Sequence, residues 1–362
     1  MAIQSVTTVA LNLPFEIGGP KPTFAGKPRH MEMLLVRVQT TDGIVGWGEA
    51  FGYAVWPATR TALETLVAPL AMGRDEKNIG ALMADLQRKL HLLGRTGPVM
   101  YALSGLDIAL WDIAGKAAGK PLSELLGGAR YKEFHAYASL MRFTDPELVA
   151  RNARAATARG YTAIKLHEIG VEQVRAARAA IGKHVKLMMD TNCPWTPDEA
   201  LAIADRVREY DLFWFEEPVW PPEDFRGLAR VRRQGRIPVA AGENAMSAVD
   251  FEAMFEADAV DYAQPSVTKI GGVTELVRIA RAAAGRGVKL VPHSPYFGPG
   301  LLATLHVAAT LNFETMIEYS YCELGANPLG NAIVVANGKI AVPSGPGLGR
   351  DPDPAVLERY AV

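Results

Sequence analysis

Seven polar side chains close short apolar runs in the middle of the chain, and their types are those of metal binding and proton transfer. Lys165 and His167 follow Ala163-Ile164, and Asp190 follows Leu187-Met188-Met189. Glu216 closes 212–215, Glu243 closes 239–242, His293 closes 289–292, and Glu318 lies near the end of 316–319. Two carboxylates about 4 Å apart repel by roughly 4 kcal/mol at an effective dielectric near 20, so ionised neighbours need a cation or must take up protons. An oxygen-only set from Asp190, Glu216 and Glu243 suits a hard cation that keeps open positions, Mg²⁺ or Mn²⁺, rather than zinc. One such acid alone reads more simply as a helix cap or an arginine's partner. Three in register, flanked by lysine and imidazole, read as a metal site.

For these residues to meet, the runs that carry them must lie side by side. After Gly127-Gly128, short apolar runs alternate with Ala- and Arg-rich helical patterns, which is how a parallel α/β sheet is written. Strands are expected at 134–138, 163–166, 185–189, 212–215, 239–242, 260–264, 289–292 and 316–319. Eight strands with helices between most of them favour a closed (β/α) barrel over an open doubly wound sheet, and no GxGxxG fingerprint follows an early strand. In such a barrel chemistry sits at the C-terminal strand ends, where the seven side chains fall. Strands at 3–13, 32–40 and 43–49, the last two joined by Thr41-Asp42-Gly43, and helical patterns at 57–70, 79–92 and 99–118 form an α+β unit before the barrel. The expected division is 1–128, 129–326 and a tail, 327–362, whose hairpin pattern around Asn337-Gly338 suggests a return to the first unit.

Composition narrows the function. With 362 residues, 49% of them hydrophobic, the chain can bury one large core and carry a smaller domain beside it. A net charge of -1, from 38 Lys+Arg against 39 Asp+Glu, creates no field that would gather nucleic acid or an anionic membrane, so a small-molecule partner is expected. Cys193 and Cys322 form no CxxC pair or zinc spacing. No signal-peptide pattern opens the chain, and the uncharged stretch 290–313 is broken by Pro292, Pro295, Gly298, Pro299 and Gly300. A soluble cytoplasmic protein is the expectation.

The ordered elements Lys165-Leu166-His167, Met189-Asp190-Thr191-Asn192, Phe215-Glu216-Glu217-Pro218 and Gly242-Glu243-Asn244 resemble the K-x-K/H, D-x-N, EEP and GEN elements of the enolase superfamily's mandelate racemase/muconate lactonizing enzyme family. Lys269-Ile270-Gly271-Gly272 and Pro292-His293-Ser294 resemble its racemase branch. The resemblance spans essentially the whole chain. It implies a modified TIM barrel, (β/α)7β, under an α+β N-terminal capping domain completed by the C-terminal tail. It further implies Asp190, Glu216 and Glu243 as Mg²⁺ ligands, and an oligomer, a dimer or octamer.

The chemistry implied is removal of the proton next to a substrate carboxylate, and Lys165 is the expected base. An amine beside a divalent cation and a second basic group should have its pKa lowered toward neutrality. A Lys or His base working with Mg²⁺ is the known pattern of this superfamily, and the resemblance carries it to Lys165. His293 is the expected second catalytic group. The family's orienting Asp for this histidine is replaced by Ser266, which points to an acid that protonates a departing hydroxyl or ring oxygen more than to a base. His167, Asn192, Lys269 and Glu318 are expected at the substrate, although Lys269 lies past its strand end and suits a support of the Gly271-Gly272 turn better than an acid/base role. By resemblance the cap loops 15–24 and 50–56 close over the mouth, bringing Phe24, Tyr53 and Trp56 to the substrate's apolar face. Dehydration of a sugar acid or related 2-hydroxy acid leads; racemisation, epimerisation or lactone cycloisomerisation would use the same site. A metal-free Schiff-base lyase and a non-catalytic acid-sugar binder are the distant alternatives.

Overall fold

The computed structural model describes residues 2–362. Its first unit is an antiparallel sheet of Ile3–Leu13, Met31–Thr40 and Val45–Ala50, in that order. The turn between the last two strands passes through Gly43 at φ 90°, a conformation that costs glycine little. Helix Pro98–Ala118 covers one face of this sheet and stops at Gly119 in the left-handed conformation. Ile79–Lys89, capped by the Asn78 side chain on the Ala81 amide, packs beside it. The helix expected at 57–70 begins at Trp56 and runs on to Ala71 through a π-helical segment, Leu63–Val67.

The second unit has eight parallel strands with seven intervening helices. In barrel order the strands are Glu133–Leu140, Ala163–Leu166, Lys186–Asp190, Leu212–Glu216, Val239–Ala241, Tyr262–Ala263, Lys289–Leu290 and Ile317–Ser320. Strand eight pairs with strand one, strands two to seven each pair with their predecessor, and strand seven stands next to strand eight across a seam. Side chains bridge that seam: Thr315 Oγ1 donates to Leu290 O at 2.7 Å and Ser294 Oγ to Glu318 O at 3.1 Å.

Strand alternation sorts the interior into layers. Tyr137, Ala163, Met188, Trp214, Ala240 and Val291 form a buried apolar layer inside the barrel. Two residues further along their strands come Ser139, Lys165, Asp190 and Glu216. The outward residues between, including Ile164, Leu187, Met189 and Phe215, join the core against the helices. The polar groups ending strands one to four are therefore placed by the same period of two that packs the barrel, whereas Glu243 lies three residues past Ala240, beyond Gly242 at φ 134°.

The tail divides its contacts between the two units. Lys339–Ala341 pairs antiparallel with barrel strand one. Further on, the Leu348 amide donates to Asp112 Oδ1 on the long cap helix at 2.8 Å, and the Val362 amide donates to Ala10 O of the cap sheet at 3.0 Å. No helix among the described residues is long and apolar enough to cross a membrane.

Candidate active site

Parallel pairing in register sets Asp190 opposite Glu216 on strands three and four. Immediately beyond these strands the chain turns through left-handed conformations at Asn192, Cys193 and Glu217, φ 55°, 56° and 47°, which non-glycine residues adopt only when the surroundings impose it. Glu217 ties the turn together, accepting from the Gly242 amide at 2.9 Å and from Cys193 Sγ at 3.0 Å. Gly242 has φ 134°, and a Cβ there would lie 2.7 Å from the Phe251 ring. That crowding accounts for the glycine before Glu243.

Lys165 is fully buried at the centre of the acids. Its Nζ lies 2.7 Å from Glu216 Oε1, 2.9 Å from Glu318 Oε1 and 3.1 Å from Asp190 Oδ2. Burial pulls the ammonium's pKa down, but Glu216, Glu318 and Asp190 outweigh it and leave it well above the ordinary lysine value. Against these carboxylates alone Lys165 is held protonated, so the lowering expected beside a divalent cation requires that cation's charge. Burial, then Asp190's charge, pushes Glu216 well above the carboxylate range, while Lys165 and His167 overcome burial to hold Asp190 below it. Trp214 Nε1 donates to the other Glu216 oxygen at 2.7 Å.

Histidines stand on both sides. His167 Nε2 is 3.1 Å from Asp190 Oδ2 and its Nδ1 is 2.6 Å from Leu140 O. His293 Nε2 lies 2.8 Å from Glu243 Oε2, and its Nδ1 lies 3.0 Å from Ser266 Oγ, which also bonds the Tyr296 hydroxyl. Ser266 thus occupies the orienting position with a neutral hydroxyl, backed by a tyrosine. Lys269 Nζ donates to Glu243 O at 2.9 Å and sits 4.5 Å from the Phe51 ring centroid, so it supports the strand-five end as well as lining the cavity.

Above this floor opens a cavity of about 540 Å³, in the range of small-molecule sites. His167, Asn192, Glu243, Lys269, His293 and Glu318 line it, and Tyr53 enters from the cap. Lys165, Asp190 and Glu216 lie beneath, fully buried. Two expectations for the cap are corrected. Phe24 is 62% exposed and lines no part of the cavity, because Thr23–Phe24 and Lys27–Pro28 form an outward hairpin. Trp56 starts a helix packed on the cap's own core, with Arg60 stacked on its ring. Conversely, Arg29 and Arg142 line the cavity and were not singled out in the sequence. Arg142 sits just past the end of barrel strand one, so the strand-end rule applied there would have found it. Arg29, on a cap loop, carries no pattern signal.

Among the described residues, no three acidic, imidazole or thiol groups converge as a ready metal cage, since Glu243 is drawn to His293. The donor chemistry nevertheless fits a hard cation. Asp190 Oδ2 is buried and within ion-pair reach of two cationic groups, yet makes no aligned hydrogen bond, and its neighbours on the next two strands offer only oxygens.

Residues 6–127 match the family described as "Mandelate racemase / muconate lactonizing enzyme, N-terminal domain", and residues 148–356 match "Enolase C-terminal domain-like". An arabinonate dehydratase of Saccharolobus solfataricus is 32% identical over 91% of each chain. A D-galactarolactone cycloisomerase of Agrobacterium fabrum is 35% identical over 87% of this chain and 88% of the relative. A Streptomyces coelicolor racemase solved with bound magnesium superposes with a TM-score of 0.89 at 27% identity, covering 99% of this chain and 100% of that one. Barrel, cap and ordered strand-end motifs agree with both family matches, and the chain belongs to the mandelate racemase/muconate lactonizing enzyme family of the enolase superfamily.

Proposed function

We propose that the protein removes the proton next to the carboxylate of a sugar acid and expels the β-hydroxyl as water, giving a 2-keto acid. The observation that carries this reading is the lysine buried among Asp190, Glu216 and Glu318 beneath a cavity that His293 lines from strand seven. Asp190, Glu216 and Glu243 would hold Mg²⁺. Bound there, Mg²⁺ supplies positive charge that stabilises the charge developing on the substrate carboxylate and offsets the acids that keep Lys165 protonated. Lys165 accepts the α-proton, and Glu318, fixed by Ser139 Oγ at 2.8 Å and the Ser294 amide at 3.0 Å, holds the amine in place. His293 donates its Nε2 proton to the departing hydroxyl. Ser266, a hydroxyl where a carboxylate would raise imidazole basicity, supports that acid role over a second base. His167 and Asn192 orient the substrate from the strand-two and strand-three side.

The arabinonate dehydratase likeness supports dehydration, and the galactarolactone cycloisomerase likeness supports a second reading in which a ring oxygen leaves instead. The test is incubation with Mg²⁺ and a panel of sugar acids in D₂O. A 2-keto acid is expected, with activity lost to EDTA and restored by Mg²⁺. Deuterium at the α-carbon with no loss of water would identify a racemase, opening of a lactone would identify a cycloisomerase, and turnover surviving EDTA would refute the scheme. A soluble cytoplasmic location and a homo-oligomeric state fit this reading, and gel filtration reads the latter.

A further inference from the structure

We propose that the preferred substrate is a sugar diacid, whose second carboxylate, remote from the reacting carbon, pairs with Arg29 and Arg142. The inference rests on the proposed dehydration, which sets the reacting carboxylate at the Asp190–Glu216–Glu243 end.

Charge pairing within the cavity is uneven. Its acids are answered: Glu243 by His293 and Glu318 by Lys165. Among the described residues its two arginines form no ion pair, although the charge of Arg142 reaches Glu168. Arg29 is stacked on the Tyr53 ring, 5.0 Å from the centroid, and among the described residues no carboxylate pairs with it. Arg142 donates through Nε to His167 O at 2.7 Å and through Nη2 to Asn192 Oδ1 at 3.0 Å and Thr191 O at 3.4 Å, all uncharged acceptors. Some arginines elsewhere are paired, Arg232 with Asp258 and Asp261 and Arg278 with Glu252, whereas Arg178 is held by main-chain carbonyls; what sets Arg29 and Arg142 apart is that they line the cavity. Two guanidinium groups, each fixed by neutral partners against the same small cavity, keep unused N–H groups and their full charge for something that enters it.

The two arginines come from elements other than those that form the floor. Arg29 and its partner Tyr53 belong to the cap, and Arg142 follows barrel strand one, whereas Lys165, Asp190 and Glu216 form the buried floor. A monoacid would offer the floor its one carboxylate and leave the arginines facing hydroxyls. A diacid puts an anion at each end of a short carbon chain, and a guanidinium–carboxylate pair is among the stronger polar contacts available.

The experiment measures turnover and calorimetric binding of the Mg²⁺-loaded protein with six-carbon sugar monoacids, the diacids of matching configuration, and monoacids phosphorylated at the far end. The diacid is expected to exceed its matching monoacid in kcat/KM by about 30-fold or more. Arg29→Met is expected to collapse that ratio to within about threefold of unity, with Arg29→Lys recovering part of it. Arg142→Met, which also frees Asn192, is expected to lower the same ratio. Equal use of both acids, a ratio unmoved by Arg29→Met, or preference for the phosphorylated monoacid overturns the inference while leaving the dehydratase reading intact. Diacid-selective binding without turnover or α-proton exchange refutes the dehydratase reading and retains the pairing; no binding of any acid refutes both.

Discussion

A single ammonium faces three carboxylates at the floor of the cavity, and this imbalance governs what Lys165 can do. Buried ion pairs offset their desolvation only while each charge keeps its partners, so removing one partner costs far more than the intact pair is worth. Lys165→Ala leaves Asp190, Glu216 and Glu318 buried together without their common cation. It is expected to destabilise the protein by about 3–5 kcal/mol and, where still folded, to lower turnover by at least about 10²-fold. Urea unfolding and steady-state rates at a temperature where circular dichroism shows native structure check the two effects separately; a folded variant with normal turnover would remove Lys165 from the mechanism. At this scale the sequence was legible where residue type and strand position coincide, as for Lys165, Asp190 and Glu216. It was illegible on loops: aromatic character alone did not tell Tyr53, which lines the cavity, from Trp56, which packs on the cap. Arg29 looks in sequence like any solvated arginine.

The strands themselves were readable because their apolar runs are short and bounded, and all eight fell where expected. Their ends were read less well. Strands six and seven shrink to Tyr262–Ala263 and Lys289–Leu290 because the chain leaves the ladder early to build the Ser266 and His293 loops. Helix starts explain another motif. Gly272, the first residue of helix Gly272–Gly285, has φ 87°, and a Cβ there would lie 2.3 Å from Asp107 Oδ1, the carboxylate that accepts from the Thr274 amide at 3.0 Å. The Gly271-Gly272 pair therefore exists to let a cap helix dock against a barrel helix. Gly272→Ala is expected to cost about 2–4 kcal/mol, combining left-handed strain with overlap against a buried side chain. Gly285, at the other end of the same helix, has open space around it, and Gly285→Ala is expected to be neutral or to stabilise by up to about 1 kcal/mol. Urea midpoints of the two variants, measured side by side, separate the docking argument from a general intolerance of substitution in this helix.

Cap and barrel are joined through buried acids as well as apolar packing, which makes their union pH-dependent. Glu49, at the end of the cap sheet, accepts from the Gly300 amide at 2.8 Å in the first turn of barrel helix Pro299–Ala309. Burial pushes its pKa up to about 8, against the lowering effect of that amide. Asp107 is raised to about 7 in the same way, burial outweighing its bonds from Thr274. Both acids therefore bind protons more tightly in the folded protein than in the unfolded chain, where ordinary carboxylate values apply. Their contribution to stability is complete below those ordinary values, near pH 4, and is lost as pH rises through about 7 and 8. The acids around Lys165 include groups shifted the other way, so the whole protein's pH profile mixes opposing slopes and the Glu49 share must be isolated by substitution. Glu49→Gln keeps a polar acceptor for the Gly300 amide and cannot ionise. Relative to the parent, it is expected to gain on the order of 2–4 kcal/mol between pH 5 and pH 9, measured by urea unfolding across that range. Parallel pH profiles for the two proteins would mean that Glu49 stays ionised when folded, and that the cap meets the barrel through a charged contact instead of a protonated one.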